Sequence, residues 1–482
     1  MIKYALLLAF LALPAMQCAP SVEHPALRDQ APPRWTTPSG AQVRPDSLWW
    51  RDFNDPALDS LISEALTHNY NLKAAFARLE AAAAQRTISG SGLWPSLGLG
   101  SNASRRKQNF IGFPIPGAKS DILTTYANTF GVSANVSWEI DLWGRVGAAR
   151  SAADAEWQAT LADVRGLQLS LSAQTAKAYF AAVEARRQEE LAQKNLEIIQ
   201  LSHDQIYRRY LRGLRSSLDY RLSRTDLANA RTNLETRRQQ RELSRRQLEL
   251  LLGRYPAAKV ETGHTLAGVT GEIPAGMPAD LLTRRPDIVA AERRLAGARA
   301  NVWSARAALF PAISLTASLG TSGKELADML NPDLSVWSLA ANVLQPLFNG
   351  GRILAGIDLA KATQKQAFAA YANTVLNAYS EVETLLANEN HLKKQSASST
   401  VAMDEAEAAR QLAEDRYQRG LVDIITLLNA QKSAYQAKSQ WLTLQRGLLQ
   451  NRIDLHLALG GGFTKVRMNK KALSLGKQGD ME

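Results

Sequence analysis

The feature that most limits how this chain can fold is that it is written twice. Ala134-Asn135-Val136 recurs as Ala341-Asn342-Val343, Gly144-Arg145 as Gly351-Arg352, and Leu252-Gly253 as Leu459-Gly460. The longer run Arg209-Tyr210-Leu211-Arg212-Gly213-Leu214 recurs as Arg416-Tyr417-Gln418-Arg419-Gly420-Leu421, and every pair is 207 residues apart. Upstream, Trp94-Pro95-Ser96-Leu97 matches Phe310-Pro311-Ala312-Ile313 at a spacing of 216, so the first copy carries nine extra residues between Pro95 and Asn135. An offset held over this distance means two copies of one structural unit. We place them at 55–256 and 278–463, joined by a linker over 257–277.

Proline placement shows the layout inside each copy. Six of the 18 prolines (Pro20, Pro25, Pro32, Pro33, Pro38 and Pro45) lie between Cys18 and the first copy, so 18–54 reads as an extended tether. No proline occurs from 117 to 255 or after Pro346, and these stretches are rich in Ala, Leu, Gln, Glu and Arg, which favour helix. Trp157, Leu161, Val164 and Leu171 follow the alternating three-and-four spacing of a coiled-coil seam, interrupted by Gln168 and Thr175. A first helix is expected from Asp55-Pro56, with Asp as cap and Pro in the first turn, to about Ser89. A long helix over 147–211 follows two strands, then a turn at Gly213 and a return helix over 217–252. The second copy offers 353–418 and 423–459 for the same pair. A long helix of this size spans ~98 Å, well beyond an ordinary globular domain.

The segments between these helices alternate with period two. Phe130, Val132, Ala134, Val136, Trp138 and Ile140 interleave with Thr129, Gly131, Ser133, Asn135, Ser137 and Glu139. Ile313, Leu315, Ala317 and Leu319, then Trp337, Leu339, Ala341 and Val343, do the same in the second copy. Strands are expected at about 95–104, 129–141, 311–320 and 336–345. One apolar and one small polar face suits a barrel with lipid outside and water inside, although a soluble sheet with one solvated face has the same pattern. About ten residues per strand is the length that crosses a bilayer. Four strands cannot close a membrane barrel, and an open edge in lipid leaves backbone groups unpaired, so the chain must pool strands with copies of itself. Three copies would supply twelve strands and twelve helical columns, but the number three does not follow from the residues.

The amino terminus supports export. Met1-Ile2-Lys3 is a short basic region and Tyr4 to Ala15 an apolar one, so 1–17 reads as a signal peptide. It ends at Ala15-Met16-Gln17-Cys18, which puts the single cysteine where a bacterial lipoprotein is cleaved and acylated. Ordinary cleavage near Ala15 is the alternative. Ala19 follows, not the Asp that favours inner-membrane retention, so the outer membrane is expected.

Charge and motif searches narrow the function further. The formal net charge of +12 is spread along helices with acids between the bases, which reads as solvated faces rather than a nucleic-acid footprint. The six histidines are scattered without metal-ligand spacing, and no Gly-rich phosphate loop with Lys is present. Arg105-Arg106-Lys107 is expected in a solvated surface loop, and 464–482 as a basic tail. The expectation is a protein that is not an enzyme and uses no cofactor.

Three segments carry a resemblance. Ser47 to Leu58 (SLWWRDFNDPAL), Ser137 to Arg145 (SWEIDLWGR), and Leu281 to Ile288 (LLTRRPDI) followed by Ala291-Glu292-Arg293 resemble the opening, the strand-to-helix junction and the second-repeat start of the TolC-like outer-membrane factors, in their lipoprotein branch. The resemblance covers nearly the whole chain. It implies a mainly α fold with membrane β: a trimeric twelve-stranded β-barrel, four strands per chain, continued by a long periplasmic α-helical barrel. It also implies the role of exit duct for small toxic solutes or drugs in a tripartite efflux system. The partners so implied are a homotrimer, a periplasmic adaptor, an inner-membrane pump and outer-membrane lipid. Cys18 becomes the lipidation site. The hairpin ends, Arg209 to Asp219 and Arg416 to Asp423, become the tips that meet the adaptor and close an aperture. Asp423, with Arg419 and Tyr417, resembles the gate. Arg209, Tyr210, Gly213, Leu214, Asp219, Arg416, Gly420 and Leu421 fall in the adaptor-contacting tips. The family often places the gate carboxylate two residues after the glycine, where here it is three. An exit duct for type I protein secretion and a periplasmic coiled-coil scaffold without a pore remain as alternatives.

Overall fold

The computed structural model describes residues 34–36, 48–111, 122–268, 276 and 278–461. The expected signal peptide, Cys18, most of the 18–54 tether, the end of the 257–277 linker and the 464–482 tail lie outside the described residues. Among those described, no helix is long and apolar enough to cross a membrane.

Each copy opens with two helices, not one. In the first copy they are α1 (Pro56–His68) and α2 (Tyr70–Ser91). Asn69 breaks the expected single helix: its backbone is extended, and its side chain accepts from the N–H groups of Asn71 and Leu72. The same side chain donates to the carbonyl of Leu251 at 2.9 Å, tying the break to the end of the return helix. The second copy breaks at the equivalent place, between α5 (Leu281–Arg284) and α6 (Pro286–Ala307), because the residue before a proline disfavours helix. There Arg285 Nη1 donates to the carbonyl of Ala458 at 3.0 Å. Leu251 and Ala458 are 207 residues apart, so one tertiary hydrogen bond is made twice with different side chains.

The strands are β1 (Ser96–Ile111), β2 (Ile122–Ile140), β3 (Ala312–Thr321) and β4 (Ser335–Leu344), in one antiparallel sheet of order β1-β2-β3-β4. Register aligns the faces across all four: Leu97, Val136, Ala317 and Leu339 form one row, and Gly98, Asn135, Ser318 and Ser338 the next. Successive side chains point to opposite faces, so the sheet has one apolar and one small polar side. The second hairpin has the ten-residue strands expected. The first is longer than expected: Arg105, Arg106 and Lys107 are not in a loop but pair with Asn128, Ala127 and Tyr126. Arg105 and Lys107 both lie over the Tyr126 ring, at 5.6 and 5.8 Å, a favourable use for cations on a strand.

The sheet feeds directly into long helices. α3 (Arg145–Leu211) and α7 (Arg352–Gln418) have 67 residues each, and their return helices α4 (Ser217–Leu251) and α8 (Ile424–Ala458) have 35 each. The long pair span ~100 Å. Glu139 and Asp141 both serve the start of α3. Asp141 accepts from the N–H groups of Val146 and Gly147 at the start of α3, while Glu139 holds Arg145 in a bidentate ion pair.

The main core lies where α1, α2, the middle of α3 and the ends of α4 and α8 converge. Trp49, Leu58, Ile62, Leu72, Val164, Phe180, Leu248 and Ile453 are buried together there, so the Trp157–Leu171 stripe faces this core. A smaller core built from Leu281, Ile288, Leu295, Val375 and Val382 does the same for the second copy. Leu72 and Leu79 have Ile288 and Leu295 as their twins at the 216 spacing.

Candidate functional site

The two helical hairpins turn at the end of the molecule remote from the sheet, and the turns are built alike. Gly213 and Gly420 have φ of +72° and +76°, a conformation that glycine takes without steric cost. In each, the residue after the glycine donates back to the carbonyl five residues earlier: Leu214 to Arg209 and Leu421 to Arg416, both at 2.9 Å. The glycine itself donates to Tyr210 or Tyr417. This closes the helix C-terminus and satisfies its last carbonyls.

Return helices start with caps that exchange residue types between copies. Ser216 accepts from the N–H of Asp219 at 3.2 Å, and its twin Asp423 accepts from the N–H of Thr426 at 2.8 Å. Asp423 is fully exposed, and hydrogen bonds from Thr426 hold its carboxyl below the usual carboxylate range. A carboxylate here also sits favourably at the positive end of α8. Within one chain, Asp423 is therefore the cap of a helix, ionised and facing solvent.

The tyrosines of the repeated motif have opposite surroundings. Tyr210 is 36% exposed and stacks on Tyr220 at 5.2 Å. Tyr417 is 3% exposed, packed with Ile206, Ala413, Ile424 and Leu427. The Arg215 guanidinium lies over its ring at 4.6 Å. Burial raises the Tyr417 phenol, opposed by the nearby arginine charge. Arg215 in turn lies 3.9 Å from Asp219, and Arg209 Nη2 donates to the Gln418 carbonyl at 3.4 Å. These contacts latch the first tip to the second.

Of the tip residues picked from the sequence, Arg209, Tyr417 and Asp219 meet at this latch. Tyr210, Leu214, Arg416, Arg419 and Leu421 are exposed, and Arg419 is engaged by Asp415 at 3.0 Å. Tyr220 and Ile206 lie outside the segments read as tips, and Arg215 lies inside the first without being singled out. Arg215 directly follows the repeated motif, and its twin is the apolar Val422; that departure from the repeat was the available signal.

Aside from the tips, one cavity of about 420 Å³ lies at the junction of sheet and helices, lined by Trp143, Arg145, Phe310, Pro346 and Arg352 among others. Among the described residues no cluster of three or more His, Cys, Asp or Glu side chains could hold a metal ion.

Comparison with known proteins places this architecture. The sequence profile described as outer membrane efflux protein matches residues 61–254 and 277–461, one segment for each copy. The chain is 33% identical over 463 residues to the pyoverdine export outer membrane protein OpmQ of Pseudomonas putida, covering 94% of this chain and 96% of that one. It is 30% identical to the cation efflux system protein CusC of Escherichia coli, covering 94% and 97%. Among solved structures, the outer-membrane channel OprN superposes with a TM-score of 0.82 at 29% identity, covering 91% of this chain and 98% of that one. The open state of the MtrE outer membrane channel of Neisseria gonorrhoeae gives 0.79 at 29%, covering 91% and 97%. These channels share the fold seen here, in which four strands per chain join a trimeric β-barrel continued by an α-helical barrel. With two copies matched, a four-stranded sheet too small to close alone, and relatives aligned end to end, the chain belongs to the outer membrane efflux protein family, channels of the Gram-negative outer membrane that reach into the periplasm.

Proposed function

We propose that the protein is the outer-membrane exit duct of a tripartite efflux system, passively conducting small toxic solutes from an inner-membrane pump across the periplasm and outer membrane. The observation that carries this is geometric. A sheet with one apolar face leads through short junctions into helices ~100 Å long that end in closed hairpins. A trimer of such chains is a tube with a membrane end and a periplasmic end. It does no chemistry; an adaptor and a pump supply energy and selection. Relatives of similar identity are named for pyoverdine, for cations and for toluene, so the scaffold accommodates different cargoes and none is assigned here.

The tips are the gating and adaptor-contacting end. Asp423, with Arg419 and Tyr417 behind it, forms the aperture. A ring of three carboxylates near a symmetry axis would attract cations and respond to protonation. Adaptor contact falls to Arg209, Tyr210, Gly213, Leu214, Asp219, Arg416, Gly420 and Leu421. Cys18 is the acylation site that anchors the chain.

Conductance of the purified protein in planar bilayers tests the pore: no conductance overturns it in favour of a scaffold. On deletion of the protein, loss of solute resistance supports efflux, and loss of a secreted protein points to type I secretion instead. Asp423→Ala is expected to raise conductance or weaken cation preference; unchanged currents would remove Asp423 from the aperture. Cys18→Ser is expected to lose a lipid mass with signal cleavage intact.

A further inference from the structure

The nine extra residues of the first copy make its hairpin outreach the second. β1 and β2 have 16 and 19 residues where β3 and β4 have 10 each. The row Gly100, Ser133, Gly320 and Val336 crosses all four strands near the outer end of the second hairpin. Beyond it β1 and β2 continue as a two-stranded ribbon to Ile111 and Ile122, braced at its base by a bridge between Phe130 and Gly323. The long helices join the sheet at its other end, so the ribbon points away from the periplasm. Ten residues tilted by ~40° cross a hydrocarbon band of ~25 Å. Arg105 and Lys107 stand five and seven residues beyond Gly100. That places them ~13–18 Å further out, at the depth of a large headgroup rather than of acyl chains.

Register decides which way these cations face. The β1–β2 ladder runs without a bulge from Ser96 opposite Ser137 to Ile111 opposite Ile122, so side chains keep their alternation throughout. Arg105 and Lys107 therefore share a face with Leu97 and Leu99, and Lys107 sits directly opposite Tyr126. The same face carries Leu319, Trp337 and Leu339 across the sheet, so it is the apolar, lipid-facing side. Arg106 lies on the polar face, opposite Ala127. Arg105, Lys107 and Tyr126 are all exposed, and the two cations lie over the Tyr126 ring. The one acid on these two strands is Glu139, at the periplasmic end. The tip of the second hairpin carries Lys324, Glu325, Asp328 and Asp333, but neither Arg105 nor Lys107 is in an ion pair among the described residues. From the membrane outward this face thus reads leucine and tryptophan, then tyrosine, then unpaired positive charge.

We propose that Arg105 and Lys107, held on the Tyr126 ring, bind the phosphate groups of a glycolipid in the outer leaflet of the membrane. Its acyl chains lie along the apolar rows below, and its phosphates meet the two cations above. The Tyr126 ring keeps both side chains on the lipid side of the ribbon, and their aliphatic stems extend the apolar surface toward the headgroup. Each protomer supplies one such site, built only by its first copy. The proposal rests on the membrane barrel and is independent of cargo, adaptor and pump.

The test uses full-length protein in mild detergent, with native mass spectrometry reading both the number of chains and the lipid retained. The probe is purified short-core lipopolysaccharide, with its phosphates intact or chemically removed. Arg105→Gln together with Lys107→Gln is expected to weaken retention of the phosphorylated probe about tenfold. Arg106→Gln, on the opposite face, is expected to leave it unchanged, as is the charge-keeping exchange of Arg105→Lys with Lys107→Arg. Equal retention by the double glutamine variant, or an equal loss in Arg106→Gln, overturns the site. Equal retention of the dephosphorylated probe assigns binding to acyl chains alone and overturns it too. Displacement of the lipid by excess inorganic phosphate gives the cations to a free anion, which also overturns it. Three chains without phosphate-dependent lipid leave the barrel intact, whereas a native mass of one chain overturns the barrel and this proposal with it.

Discussion

The two hairpins, α3–α4 and α7–α8, have identical lengths and identical glycine turns, yet different chemistry lines their arms near the tips. Near the first tip His203, Tyr207, Tyr220 and Tyr210 form a run of ring contacts between 5.2 and 6.3 Å. In the second hairpin the twins of His203 and Tyr207 are Arg410 and Glu414, and Arg410 bridges Glu407 and Glu414, each at 2.6 Å. Their opposite ends differ in the same way. Glu249 accepts from the N–H groups of Ala258, Lys259 and Val260 at 2.6 to 2.9 Å. Its twin, His456, is buried and stacked on Trp49 at 5.3 Å. The duplication conserves the backbone path and leaves each position free to be stabilised by whatever its neighbours supply.

The largest expected effect comes from a contact that only the second copy has. Glu389 pairs with Arg452 at 2.7 Å, both nearly buried, where the first copy has Ala182 in place of the acid. Glu389→Ala takes this carboxylate from a nearly buried guanidinium, and is expected to cost about 3 kcal/mol or more. Thermal unfolding in detergent measures it. A loss below about 1 kcal/mol would mean that the two copies are equally supported at this level.

Second in size is an acid response at position 456. Burial, then the charge of Arg452, lower the His456 imidazole to about 4. The unfolded chain takes up that proton near pH 6.5, so stability falls as pH drops from 6.5 to about 4 and levels off below. Each pKa unit corresponds to ~1.4 kcal/mol, which makes the full effect about 3 kcal/mol. His456→Phe is expected to flatten stability across that window, and an unchanged pH profile would show that His456 is hydrated.

At the twin position the sign of the charge is reversed but the direction is not. Burial works against the Glu249 carboxylate, and the three backbone donors with Arg245 outweigh it and lower its pKa. Its contribution is present above the unfolded value of about 4.5 and is lost as pH falls through the lower folded value. Glu249→Gln is expected to cost about 2 kcal/mol at neutral pH and progressively less in acid. Loss at every pH alike would assign the effect to packing.

The smallest difference separates the arms by salt. Glu407→Gln is expected to cost about 0.5 kcal/mol in dilute buffer and nothing resolvable at about 1 M salt, where screening reaches ~3 Å. Tyr220→Leu removes ring contacts worth about 1 kcal/mol, a loss that salt should leave unchanged. Equal salt dependence in both would erase the distinction between the arms.

Much of this fold could be read from residues because its signals are local. Period-two alternation, proline-free helical runs and a glycine in a repeated turn each act within a few residues, and the structure places strands, long helices and turns accordingly. Apart from the break before Pro286, which is local, the misreadings were tertiary. Asn69 is an unremarkable helix residue until its amide meets Leu251 across the molecule. Arg105 to Lys107 resemble a polar loop until β2 pairs with them. At the tips, the repeat puts Tyr210 and Tyr417 at matching positions, while Arg215 and Ile206 of the opposite hairpin, with Ile424 and Leu427, bury only one of them.

The sequence by itself determined two copies of one unit, each with a membrane-length hairpin and a long helical arm, because a duplication and a hydrophobic period need no partner to be visible. Only the tertiary structure decided which member of each repeated pair is buried, capped or charged. Those outcomes depend on which side chains arrive from elsewhere in the chain, and the free energy of a carboxylate or an imidazole is set by those neighbours rather than by its own position in the repeat.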